Sequence, residues 1–305
     1  MAFTAKDVAE LRKQTGCGMM DCKNALTESN GDFEAAIKIL REKGMAAVSK
    51  KADRIAAEGI VDILTIGNTT AMVEVNSETD FVAKNAVFQE FVKNILKTII
   101  KNKPQDVEAL MSCACEGDEG SVNDALASKT GTIGEKLSIR RFEIFEGAVA
   151  TYIHNKGETG VVITFDTDLA DNAAFAECGK NVALQVAAMP VKYLNKEAVP
   201  AEVLEEEKGI LISQMKNDPK MANKPDAVLS KIVEGKLGKY YENNCLLEQA
   251  FVKDDSMSVG KYVASVAKEN CGNITVTGFC RFDKGEGIQK REEDYAAEIA
   301  KMVKG

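Results

Sequence analysis

The chain reads as an α+β protein assembled from several small units. Three observations predict that class. A hairpin pattern, an amphipathic helix and a later strand occur twice; a purely helical pattern fills residues 1–45; and two polar helical patterns split by a proline interrupt the second copy. Strand pairs with one face covered by a helix are the smallest α+β layers that bury an apolar core.

Residues 1–45 predict three short helices. Thr4 caps the first, which carries Val8 and Leu11 on one face and ends near Gln14. Thr15-Gly16-Cys17-Gly18 is a turn, because its two glycines relax the backbone. Met19, Met20, Cys22, Ala25 and Leu26 form the apolar face of the second helix. Asn30-Gly31 breaks it, and Asp32 caps a third with Phe33, Ala36, Ile37 and Leu40 inward. Arg41 and Lys43 suit the C-terminal end of that helix, and Gly44 is expected to stop it. So small a unit has a marginal core, which favours docking over catalysis. The Ala- and Lys-rich residues 46–57 read as a linker.

A duplication follows. Glu58-Gly59-Ile60-Val61 is answered by Glu146-Gly147-Ala148-Val149, and Thr79-Asp80 and Thr167-Asp168 stand equally far beyond those glutamates. Each Thr-Asp leads to Asn-Ala, a phenylalanine and a helical pattern, starting at Asn85 and Asn172. In the first copy, residues 58–66 and 70–76 flank Gly67-Asn68-Thr69; in the second, 147–153 and 161–165 flank a glycine-bearing loop. Leu137–Phe145 and Asn273–Phe282 read as the later strands. The expected subdomains are therefore 58–145 and 146–290.

Within the second, a helical hairpin spans about 197–242, turning at Asn217-Asp218-Pro219. Its apolar stripes are narrow, so the two helices pack on each other and project. Glu116-Gly117-Asp118-Glu119-Gly120 reads as a solvated acidic loop. Residues 291–305 form a terminal helical module with Tyr295, Ala296, Ile299 and Met302 on one stripe.

Bulk properties narrow the function. The 305 residues carry a formal net charge of −8, which disfavours nonspecific binding to nucleic acid or an anionic membrane. Lys6, Asp7, Glu10, Arg12 and Lys13 leave no apolar core for a signal peptide, and no apolar run is long enough to span a bilayer. The eight cysteines form no Cys-x-x-Cys pair, and the lone histidine, His154, has no metal-ligand partner beside it. Reduced thiols in a cytoplasmic protein fit best, with Cys178 on the apolar face of a helix.

Catalytic signatures are missing. There is no glycine-rich phosphate loop, no His-Glu-x-x-His and no Gly-x-Ser-x-Gly. Ser258-Val259-Gly260-Lys261 lacks the preceding glycines of a nucleotide loop. Asp80 and Asp168 read better as a duplicated cap than as an acid/base pair, and His154 as an ordinary histidine at a strand end. Arg140 and Arg141 alternate along a strand, one supporting the fold and one facing solvent. What stands out is Thr79-Asp80-Phe81-Val82-Ala83-Lys84-Asn85, where a strand hands over to a helix. Either Asp80 or Asn85 caps the helix with Phe81 sealed against the sheet, or Phe81 faces a protein partner.

Four stretches carry a family resemblance. They are Leu11-Arg12-Lys13-Gln14-Thr15-Gly16-Cys17-Gly18-Met19-Met20-Asp21-Cys22-Lys23-Asn24-Ala25-Leu26, Glu74-Val75-Asn76-Ser77-Glu78-Thr79-Asp80-Phe81-Val82-Ala83-Lys84-Asn85, Gly134-Glu135-Lys136-Leu137-Ser138-Ile139-Arg140-Arg141, and Gly278-Phe279-Cys280-Arg281-Phe282 with Gly285-Glu286-Gly287-Ile288. In this order they resemble bacterial elongation factor Ts, the exchange factors for elongation factor Tu. Residues 110–130 are longer and more acidic than the short helical connection expected in that family.

The resemblance implies a ubiquitin-associated-like three-helix module, a core of two related subdomains with antiparallel sheets, a projecting coiled-coil hairpin and a C-terminal helical module. It implies elongation factor Tu as partner, with no direct nucleic acid and no membrane; broad central sheets allow a homodimer as well as a monomer. No cofactor is expected, since GDP, GTP and magnesium belong to the partner GTPase. Asp80 and Phe81 become the residues that disturb the partner's magnesium and phosphate region, within the contact segment Thr79, Val82, Lys84 and Asn85. Ile133-Gly134 and His154 match further contact positions, and Met19, Met20 and Lys23 match contacts of the N-terminal module. The implied activity is exchange without covalent chemistry; the alternative is a chaperone-like or scaffold binder of the same GTPase.

Overall fold

The computed structural model describes residues 3–15, 17–217 and 226–289. The chain forms two compact units. One comprises Met1–Ile144, Asn155–Thr159 and Phe282–Gly305, the other Phe145–His154 and Gly160–Arg281.

The first unit opens with helices α1 (Ala5–Thr15), α2 (Met19–Glu28) and α3 (Phe33–Lys51). Thr4 and Asp7 cap α1 reciprocally, and Asp32 accepts from the Ala35 amide at 3.1 Å to start α3. Val8, Leu11, Cys22, Ala25, Leu26, Ala36 and Leu40 make their shared core. Met19 and Met20 are not part of it; they stand exposed on α2. Gly44 does not stop α3 either, and the stretch read as a linker is helical as far as Lys51. The reason lies in packing. A β-carbon on Gly44 would sit 3.0 Å from the Ala127 carbonyl oxygen, so glycine lets a second helix approach closely.

That second helix belongs to the first sheet layer. Strands β1 (Glu58–Ile66) and β2 (Thr69–Ser77) pair antiparallel from Glu58↔Ser77 to Ile66↔Thr69. A single turn α4 (Asp80–Ala83) leads to α5 (Ala86–Asn102), followed by α6 (Val107–Ser112), α7 (Val122–Ile133) and β3 (Ser138–Glu146). The strand order is β1-β2-β3. Every position of β2 is buried, and Val73 and Val75 share a core with Phe88, Phe91, Val92, Ile95, Leu96 and Ile99 of α5. Burial of about six such side chains contributes on the order of 10 kcal/mol before chain entropy is counted.

The acidic loop is more than a solvated connection. Asp118 pairs with Lys129 at 2.8 Å and accepts from Asn94, Glu116 pairs with Lys101, and the Glu116 amide donates to Thr98 at 2.9 Å. Its charges tie α5 to α7.

The second unit repeats the plan with β4 (Ala148–His154), β5 (Thr159–Thr167) and α8 (Ala173–Ala188). Helices α9 (Ala201–Asn217) and α10 (Asp226–Asn244) form the inserted hairpin, then come β6 (Ala250–Phe251), β7 (Asp254–Ser258), α11 (Val259–Glu269) and β8 (Ile274–Asp283). β4, β5 and β8 form one sheet in the order β4-β5-β8, and β6 pairs with β7. Cys178 is buried in α8 as expected, among Val161, Ile163, Val182, Val263 and Val276. The hairpin holds its own cluster of Leu211, Met215, Leu229, Val233 and Leu237. Its turn at Asp218-Pro219 and the terminal module at 291–305 lie outside the described residues. Helix α11 and the β6–β7 pair are additions to the sequence reading; Ser258, within the rejected nucleotide-like motif, caps α11 through the Lys261 amide.

None of the eight cysteines is in a disulfide; burial pushes the Cys178 and Cys115 thiols up to about 11. Among the described residues, no helix is long and apolar enough to cross a membrane.

Candidate functional site

Two caps build the strand-to-helix junction. Thr79 accepts from the Val82 amide at 3.4 Å and starts α4; Asn85 accepts from the Val87 amide at 2.8 Å and starts α5. Asp80 caps neither helix. Neighbouring positions in a helical turn point roughly 100° apart. With Val82 and Ala83 both buried against the sheet layer, Phe81 is turned out to solvent and is 80% exposed. The alternative in which Phe81 seals the first turn is overturned by that burial pattern.

The junction is tied from a second direction. Glu135 accepts from the Glu78 amide at 3.1 Å, the Thr79 amide at 3.0 Å and the Thr79 hydroxyl at 2.7 Å. Glu78 returns the contact by accepting from the Lys136 amide at 2.5 Å, and it pairs with Arg54 at 3.3 Å. Lys136 Nζ in turn donates to the carbonyl oxygens of Ala52 and Arg54. These bonds hold the Phe81 turn beside the end of α7. There Ile133 packs on the core, and Gly134, at φ 85°, donates to the Thr130 carbonyl. The left-handed backbone explains the glycine. Ile133-Gly134 and the heptad are thus brought together.

Asp80 forms an i,i+4 ion pair with Lys84 at 2.5 Å, and the Lys84 hydrogen bond holds its exposed carboxyl below the ordinary range. Phe81 edges an open groove of about 1110 Å³, with Ile55, Glu58, Gln89, Lys156 and Lys284 on its walls. Charged, polar and apolar residues are mixed on those walls. That composition suits a protein surface better than a small apolar ligand.

The second copy shows what is particular to the first. Asn172 caps α8 through the Ala174 amide at 2.8 Å, as Asn85 does for α5, and Thr167 accepts from the Leu169 amide. Asp168 is occupied by the Asn273 amide at 2.7 Å, and Leu169 packs on its own unit's core. The duplicated turn is scaffold; the outward ring belongs to the first copy alone.

The remaining expected positions stand on other elements. His154 ends β4, exposed, with Nδ1 3.1 Å from the Tyr152 hydroxyl. Met19, Met20 and Lys23 are all exposed on α2, the methionines at 46% and 62%. A free pair of methionines on a helix face is an adaptable contact surface.

Comparison with known proteins agrees with this picture. A family model described as Elongation factor TS matches residues 78–286. A protein of Syntrophotalea carbinolica named Elongation factor Ts is 45% identical over 307 residues, covering all of both chains. One of the same name from Magnetococcus marinus is 44% identical over 308 residues, again covering both completely. The chain belongs to the elongation factor Ts family.

Membership gives the resemblance stretches a structural reading. Three of the four that suggested elongation factor Ts meet at Glu74, a fully buried carboxylate in β2. It accepts from Arg140 at 3.0 Å, Arg141 at 2.7 Å, Asn76 at 3.0 Å and the Gly285 amide at 2.8 Å. Both arginines therefore support the fold, contrary to the alternating expectation; their long arms reach one carboxylate from adjacent positions. Glu78 and Glu135 were missed as site-forming residues. Their signal was present, since both lie inside stretches that carry the elongation factor Ts resemblance.

Proposed function

We propose that this chain binds elongation factor Tu carrying GDP and accelerates GDP release, so that GTP can reload. The observation that carries the reading is Phe81, a large ring held 80% exposed on a turn fixed by two caps and a carboxylate. A large ring held out on a fixed turn is suited to enter a partner's pocket. Asp80 would act at the adjoining surface, near the partner's magnesium and phosphates. Thr79, Val82, Lys84 and Asn85 shape and flank the wedge; Ile133, Gly134 and His154 add contacts around the nucleotide site. Met19, Met20 and Lys23 dock the N-terminal module.

The mechanism is coupling, not bond making. If the chain binds nucleotide-free partner more tightly than the GDP form, GDP affinity falls by the same factor. Each tenfold needs about 1.4 kcal/mol of differential contact, and one well-seated aromatic supplies roughly 2 kcal/mol or more. Loosening the magnesium adds to this, because the metal neutralises phosphate charge. The nucleotide and metal belong to the partner, and this chain needs no cofactor.

Release of a fluorescent GDP analogue from elongation factor Tu, with and without this chain, tests the reading. Acceleration that saturates with chain concentration is expected. Binding without acceleration would make the chain a scaffold for the same GTPase.

A further inference from the structure

We propose that Glu135 is a positioning residue for exchange: its carboxylate fixes the turn that presents Phe81. The inference rests on the exchange reading above and names a residue that reading does not need to contact the partner.

Helix α4 is one turn long, too short to hold an orientation by its own hydrogen bonds. Its direction is set where the chain enters it, at Glu78 and Thr79. Glu135 binds every donor there: two backbone amides at 3.1 and 3.0 Å and the Thr79 hydroxyl at 2.7 Å. Because the Thr79 hydroxyl donates to Glu135, its oxygen lone pairs remain for the Val82 amide, which they cap. A carboxylate that accepts all three bonds therefore fixes the position of the turn. The tie is reciprocal, since Glu78 accepts from the Lys136 amide next to Glu135. The Phe81 turn and the end of α7 at Ile133-Gly134 consequently move as one piece. Nothing on Phe81 itself would fix the ring, because it is exposed.

The chemistry separates two substitutions. Glu135→Ala removes all three acceptor contacts. Glu135→Gln keeps one oxygen for the two amides and offers its NH2 to Thr79 Oγ1, since a hydroxyl accepts as readily as it donates. The glutamine should largely restore the geometry.

The test combines stimulated GDP release with amide hydrogen exchange of the free chain, using wild type, Glu135→Ala, Glu135→Gln and Phe81→Ala. In Glu135→Ala, the plateau release rate is expected to drop about tenfold, while the half-saturating chain concentration shifts less than about threefold. The Glu78 and Thr79 amides should exchange at least about tenfold faster, with α5 amides unchanged. Glu135→Gln should stay within about threefold of wild type on both readouts. Unchanged amides or an unchanged plateau in Glu135→Ala would overturn the proposal. So would a glutamine variant as impaired as alanine, or faster exchange throughout α5, which would make Glu135 a folding residue only. Loss in Phe81→Ala but not in Glu135→Ala defeats this inference alone. A wild-type chain that fails to accelerate release defeats the exchange reading, which is visible before any variant is compared.

Discussion

Arg141 joins Glu74 through a 2.7 Å bond from Nε to Oε2 while its guanidinium lies 4.1 Å over the Phe282 ring. One side chain thus neutralises a buried charge in β2 and stacks on the end of β8. Its Nη2 also reaches the Glu286 carboxylate at 3.1 Å. Substituting Arg141→Met keeps much of the apolar stem but removes the charge. Breaking a buried ion pair by deleting one partner costs about 3–5 kcal/mol, and Arg140 still faces Glu74, so a loss of about 3 kcal/mol is expected. Urea denaturation of Arg141→Met against wild type measures it; a loss within the ordinary surface range would make the pair ornamental.

Glu74 makes a prediction about acid. Burial pushes its carboxyl up, but the Gly285 amide, Asn76, Arg141 and Arg140 together hold it below the ordinary range. A carboxyl depressed in the folded state adds stability above its unfolded pKa and loses it as pH falls through the folded value. Wild type should therefore exceed Glu74→Gln in stability at neutral pH, and the gap should narrow below about pH 4. Urea midpoints of both proteins across pH 3 to 7 read this out; a gap that widens towards acid would reverse the sign assigned to Glu74.

Much of this architecture was legible in the chain. The hairpins showed through their turn glycines and their repetition, and the duplicated Asn85 and Asn172 both became helix caps at 2.8 Å. What was not legible depended on partners far away in sequence. Gly44 has the local character of a helix stop, yet α3 continues because Ala127 requires the missing side chain. Arg140 and Arg141 look like opposite faces of a strand until the buried Glu74 draws both inward. At the site, Phe81 was visible as a candidate, but the contacts that orient it come from Glu135, more than fifty positions on.

Gly44 yields a prediction of its own. Alanine normally stabilises a helix interior relative to glycine by about 1 kcal/mol. Here the added carbon would meet the Ala127 backbone at 3.0 Å, so that gain should vanish. A bulkier Gly44→Leu should cost about 1–3 kcal/mol by forcing α3 away from α7. The nearby Arg41–Asp124 pair at 3.6 Å and the Lys51 bond to the Thr130 carbonyl would be lost with it. Thermal unfolding of the two variants separates the cases, and a stabilised leucine variant would show that the helices have room to spare.

Lys84 offers a local electrostatic check. Its hydrogen bond is the main cause holding the Asp80 carboxyl below the ordinary range. In Lys84→Met the Asp80 titration, followed by carboxyl-carbon NMR, should move up towards an ordinary aspartate. An unmoved titration would mean that the exposed pair is not populated in solution.

Phe81 closes the chain from geometry to function. Because the ring is 80% exposed, Phe81→Ala should leave folding stability within about 0.5 kcal/mol of wild type, as for other surface changes. Val82, buried one position later, should instead lose about 1–2 kcal/mol on truncation to alanine. Under the exchange reading, Phe81→Ala slows stimulated GDP release about tenfold or more, the equivalent of about 1.4 kcal/mol, because a wedge acts on the released state. Initial association should change little, since Lys23, Met19, Met20 and the groove walls are untouched. Stopped-flow association and release rates, measured on the same preparations, distinguish the two effects. Equal loss in both would make Phe81 a docking residue and move the exchange step to Asp80 or the Ile133-Gly134 corner.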